Sequence, residues 1–148
     1  MGMVEIKLSG LDQLQKALTE EQPKRAKSIL RSALTAAGNI IRDAMVRNVP
    51  KDSGLLSENI GVKTSTRGSD ELRGAAFIGP KGKAFYPARE RGLGKKGRSR
   101  MPVVTIARFL EFGTSEMQAR PFMTQSFEQE KGRALDKIIS VIREKLGL

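Results

Sequence analysis

The sequence predicts an α+β protein: long helices packed on a small, mostly antiparallel sheet, with a long flexible basic loop. Three observations carry this prediction. The segment from about Pro23 to Asn48 repeats apolar residues at spacings of three and four over about six turns. Shorter segments alternate with period two, as half-buried strands do. The stretch from Gly79 to Pro102 shows neither period, yet holds five glycines, three prolines and eight basic residues. A length of 148 residues fits one domain, here taken as residues 1–148.

The elements follow in order. Val4-Glu5-Ile6-Lys7-Leu8 alternates apolar and polar and predicts a strand that Ser9-Gly10 breaks. Leu11, Leu14, Ala17 and Leu18 recur at helical spacing and predict a short helix ending before Pro23. The long helix has Ala26, Ile29, Leu30, Ala33, Leu34, Ala37, Ile40, Ile41, Ala44 and Met45 as its apolar stripe. Gly38 and the stripe alanines leave room for a second backbone to come close. Val49-Pro50 ends this helix, and Lys51-Asp52-Ser53-Gly54 reads as a turn. Strands are expected from Leu56 to Ser65 and from Leu72 to Ile78, joined as an antiparallel hairpin through Thr66-Arg67-Gly68-Ser69-Asp70. Ile106, Phe109 and Phe112 lie three apart and favour a short helix over 103–112, with Gly113 as a left-handed cap. A last helix runs from near Pro121 to about Leu146, with Phe127, Leu135, Ile138, Ile139, Ile142 and Leu146 as its buried stripe.

Composition narrows the function. The chain has no histidine and no cysteine, so the commonest general base, the most reactive nucleophile and thiolate metal ligands are all missing. The carboxylates do not cluster as metal ligands do, and Gly79-Pro80-Lys81-Gly82-Lys83 lacks the spacing of a phosphate-binding loop. The reading is a non-enzymatic protein with no cofactor and no small-molecule substrate. No apolar run approaches the roughly 20 residues of a membrane span, and no charged-then-apolar leader is seen, so a soluble protein made in a cytoplasm is expected.

The net charge is +11, from 27 Lys and Arg against 16 Asp and Glu. Much of the excess lies in the basic loop, where Lys81, Lys83, Arg89, Arg91, Lys95, Lys96, Arg98 and Arg100 face only Glu90. A solvated loop held open by self-repulsion is one reading. An arm that orders against a polyanion is the other, and charge this concentrated exceeds what solubility needs. DNA and an acidic protein both remain open as the polyanion. Glu111, between Leu110 and Phe112, is read as structural, accepting hydrogen bonds from a nearby turn or pairing with Arg108 or Arg120. Phe109, Phe112, Phe122 and Phe127 are read as core residues, with a subunit interface as the alternative.

Several phrases, taken in order, resemble a known family. They are Gly10-Leu11-Asp12-Gln13-Leu14; Val49-Pro50-Lys51-Asp52-Ser53-Gly54-Leu55-Leu56; Glu111-Phe112-Gly113-Thr114; and Ala119-Arg120-Pro121-Phe122-Met123-Thr124-Gln125-Ser126-Phe127. The chain resembles the tail-component family of long-tailed, non-contractile phages, typified by the tenth gene product of an HK-type lambdoid coliphage. Pro50, Asp52, Gly54 and Leu56 match its pattern, as do Glu111, Phe112, Gly113, Thr114, Pro121 and Phe122. Ser53 stands for the usual threonine, Lys51 for valine and Ser126 for alanine. The basic stretch from Gly79 to Pro102 is longer than the family pattern. The resemblance implies a virion-assembly protein of a phage or prophage, acting in tail completion or head–tail joining at the neck. It implies a ring homo-oligomer, with sixfold symmetry as one option, with other neck and tail proteins as partners and with contact to phage DNA as a further option. No membrane partner is expected. Assembly would take place in the host bacterial cytoplasm. The competing reading is a basic nucleic-acid-binding protein.

Overall fold

In a computed structural model, residues 12–51, 54–67, 72–86 and 101–148 are described. The helices are α1 (Asp12–Glu20), α2 (Pro23–Asn48), α3 (Leu55–Glu58), α4 (Val103–Phe112) and α5 (Phe122–Leu146). The strands are β1 (Ile60–Arg67), β2 (Arg73–Pro80), β3 (Phe85–Tyr86) and β4 (Met101–Pro102). The expected strand at Val4–Leu8 lies outside the described residues. The backbone groups into two compact units. The first holds α1, α2 as far as Ile41, residues Val62–Ile78, and α5 from Gln129. The second holds Arg42–Gly61 and the described part of Gly79–Glu128.

In the first unit α2 lies on the β1–β2 pair. A Cβ added at Gly38 would stand 2.7 Å from Val62 Cγ1 and 3.6 Å from Ile78 Cγ1, so only glycine admits this approach without a shift. At Gly74 an added Cβ would stand 2.9 Å from Leu30 Cδ2, with Leu34 also against it. Arg31 donates to Thr66 at 3.2 Å, and the Thr35 and Thr64 hydroxyls are 3.5 Å apart. From Arg31 to Gly38 the neighbour on β1 falls from Thr66 to Val62, while the neighbour on β2 rises from Gly74 to Ile78. The strands are therefore antiparallel, and α2 runs with β2. Of the predicted α2 stripe every residue is buried except Ile40, which is half-buried. Leu14 and Leu18 are the buried residues of α1.

In the second unit the expected strand start at Leu56 is a helical turn instead. Gly54 has φ 76° and ψ −16°, a left-handed conformation that reverses the chain into α3. Glu58 N and Ser57 Oγ both donate to Gly54 O, at 3.0 and 2.7 Å, and Asn59 Nδ2 donates to Leu55 O at 2.7 Å. These local bonds hold the segment helical until Ile60, and Leu56 is buried within it. Nor is 79–102 structureless throughout, since Gly79 and Pro80 belong to β2. Further along, Phe85 pairs with Pro102 and Tyr86 with Met101, antiparallel. The described residues on either side of 87–100 are thus paired with each other.

The stripe expected for α5 is corrected. Its buried residues are Phe122, Ser126, Glu130, Ala134, Ile138, Val141 and Ile142, while Phe127, Leu135, Ile139 and Leu146 are only half-buried. The true stripe steps by four and includes a serine and a carboxylate, so apolar spacing alone pointed to the adjacent face.

Candidate functional site

The motif residues of the second unit meet where α4 hands over to α5. Val103, Ala107 and Glu111 form the buried stripe of α4, spaced four apart. Pro121 precedes the first residue of α5 and has no side chain able to accept a hydrogen bond, so the exposed amides of that helix need another partner. Glu111 supplies it. Its Oε2 accepts Met123 N at 2.9 Å and its Oε1 accepts Thr124 N at 2.9 Å. The Thr124 hydroxyl donates to the same Oε1. A carboxylate here also suits the positive end of the α5 dipole. Of the two arrangements expected for Glu111, it takes the first, accepting hydrogen bonds from the nearby backbone at the start of α5.

Gly113 makes the intervening turn. Its φ of 74° with ψ of 179° is a glycine conformation, though extended in ψ and so distinct from the expected left-handed cap. A Cβ there would meet Met117 O at 2.8 Å and Ala119 N at 2.9 Å. Thr114 N donates to Met117 O at 2.8 Å, and Arg120 N returns to Leu110 O at 2.6 Å. On the far side Ser126, fully buried, donates to Phe122 O at 2.5 Å and accepts from Asn48 Nδ2 at 3.0 Å. That bond ties the end of α2 to the first turn of α5. Phe122 is 2% exposed, as predicted for a core residue.

Two other phenylalanines are not core. Phe112 is 71% exposed and Phe109 37%, with Met117 at 38% beyond the turn. Phe127 is half-buried. Phe109 and Phe112 point away because the stripe through Val103, Ala107 and Glu111 takes the inner face. The motif phrase Glu111-Phe112-Gly113-Thr114 therefore puts a buried cap and an exposed aromatic side by side.

The remaining predicted residues divide. Pro50 is half-buried at the exit of α2. Asp52, Arg89, Arg91, Lys95, Lys96, Arg98 and Arg100 lie outside the described residues. Lys81 and Lys83 are exposed in the turn between β2 and β3. The stem of Lys81 lies over Gly61, where a side chain would collide with it, and Lys81 N donates to Asn59 O at 2.8 Å. Sequence reasoning missed the Asn48–Ser126 link and the role of Thr124. Neither leaves a local pattern, since the partners are brought together only by the fold.

Among the described residues no group of three or more His, Cys, Asp or Glu side chains is placed to hold a metal ion. No described helix is long and apolar enough to cross a membrane. Caps, turns and exposed aromatics define the class: an α+β protein whose motif residues shape a surface. Residues 12–113, more than two thirds of the chain, match the family model described as "Bacteriophage HK97-gp10, putative tail-component". The chain belongs to that family. The match contains Pro50, Gly54, Leu56, Glu111, Phe112 and Gly113, and ends before Thr114, Pro121 and Phe122. Comparison with curated proteins and with solved structures gave no match.

Proposed function

We propose that this protein is a non-enzymatic virion-assembly protein of a phage or prophage, acting in tail completion or head–tail joining at the neck. Family membership carries the reading. The site supports it, because its motif is spent on rigidity and on display. Glu111 and Gly113 fix the α4–α5 turn, and Phe109, Phe112 and Met117 stand exposed around it. Exposed aromatics held on a rigid turn suit a protein interface better than catalysis. The protein works as a ring oligomer, in which subunits meet head-to-tail through unlike surfaces. Its partners are neighbouring neck and tail proteins, and it resides in the virion after assembly in the host cytoplasm. The basic segment carrying Arg89, Arg91, Lys95, Lys96, Arg98 and Arg100 adds a polyanion contact to that assembly.

The test is electron microscopy of lysates from an inducible host lacking this gene. Filled heads separate from unjoined or aberrant tails are the expected products. Intact infectious virions would overturn the reading.

A further inference from the structure

The two-stranded sheet offers a surface that the assembly reading does not use. Val62, Thr64, Thr66, Gly74 and Ile78 face α2. Side chains alternate along a strand, so Lys63, Ser65, Arg67, Arg73, Ala75 and Phe77 stand on the opposite face. Lys63, Arg67 and Arg73 are exposed, and Phe77 is 46% exposed. Gly38 approaches both Val62 and Ile78, which places these two side by side across the pair. Counting along antiparallel strands then sets Lys63 beside Phe77, Ser65 beside Ala75 and Arg67 beside Arg73. These six positions carry three cations and no carboxylate.

We propose that this face of the β1–β2 ribbon binds duplex DNA. Two strands lie about 5 Å apart, and the major groove of B-DNA, about 12 Å wide, admits a two-stranded ribbon. The residue types suit that setting. Arginine and lysine reach phosphates and guanine edges, serine serves either donor or acceptor, and alanine and phenylalanine pack on thymine methyls. The small pair Ser65 and Ala75 at the centre lets the nucleic acid come close between the charged ends. An acidic protein is the competing occupant of three cations, but it leaves the ribbon shape unexplained. Asp70 and Glu71 fall in the connection between the strands, outside the described residues, and their charge opposes DNA.

The inference goes beyond the assembly reading, which stands whether or not this face binds DNA. The test is fluorescence anisotropy of a labelled 20-base-pair duplex with the full chain, titrated between about 50 and 200 mM salt. Each phosphate neutralised contributes about 0.9 to the slope of log K against log salt. Lys63→Gln, Arg67→Gln and Arg73→Gln together are expected to lower that slope by about 2–3, with circular dichroism unchanged. Arg67→Gln and Arg73→Gln singly should each lower it by about 1, which keeps the test valid if the triple variant folds poorly. Asp70→Asn with Glu71→Gln should tighten binding. A slope unaffected by the ribbon changes would overturn the proposal, whether Arg98→Gln with Arg100→Gln abolishes binding or the chain binds no DNA. So would loss of binding to polyglutamate in the ribbon variants with duplex binding unchanged.

Discussion

Glu111, on α4, holds the backbone N–H of Thr124 at 2.9 Å and so caps a helix that begins eleven residues further along the chain. The same carboxylate takes Met123 N, so two of the three amides at the start of α5 that have no partner within the helix, those of Phe122, Met123 and Thr124, depend on one side chain. Removing it strips the cap and leaves part-buried donors without an acceptor. Glu111→Ala is expected to cost about 2–3 kcal/mol, summing a lost cap and unsatisfied amides. Glu111→Gln keeps one acceptor oxygen and should lose roughly half as much. Chemical denaturation of the three proteins checks this order.

Two glycines should respond in opposite directions. Gly113→Ala forces a side chain into a positive-φ position and against the backbone at Met117 and Ala119. About 3 kcal/mol of destabilisation is expected. Gly132 lies inside α5 with nothing within 4 Å of an added Cβ, so Gly132→Ala should stabilise by about 0.5–1 kcal/mol. Melting temperatures of the pair read out both signs.

Gly38 and Val62 are coupled by contact. Gly38→Ala places a methyl 2.7 Å from Val62 Cγ1 and is expected to cost about 1–3 kcal/mol by overpacking. Val62→Ala makes room for it. The double variant should therefore lose less than the sum of the singles, by at least about 0.5 kcal/mol in a double-mutant cycle. Additive losses would mean that α2 does not rest on β1 at this point.

Much of this fold was legible. The α2 stripe is dense, apolar and long, so periodicity found its limits and nearly all its buried residues. The α4 helix was legible too, but its orientation was not. Its inner face carries Val103, Ala107 and Glu111, and a carboxylate satisfied by distant amides is invisible to a hydrophobicity count. Phe109 and Phe112 were consequently placed in the core when they lie outside it. The α5 stripe failed for the same reason, through Ser126 and Glu130. A four-residue helix such as α3 has no period to detect, and only the positive φ of Gly54 reveals it. The motif at the α4–α5 turn was recognised as punctuation, while its geometry, Glu111 reaching forward to Met123 and Thr124, required the folded chain.

Phe112 separates stability from function. Because the ring is 71% exposed, Phe112→Ser should change folding stability by no more than about 0.5 kcal/mol. It should nonetheless abolish assembly if this ring seats in a partner subunit, since aromatic anchors carry a large share of interface energy. Thermal melts and virion yield from the variant, compared side by side, test the separation.

The most direct test of the central claim is extract complementation. Purified protein is added to a lysate made without this gene, and infectious particles are counted. The account predicts that wild-type protein raises the titre by orders of magnitude and that Phe112→Ser, equally well folded, does not. A lysate already full of infectious particles before any protein is added would contradict it.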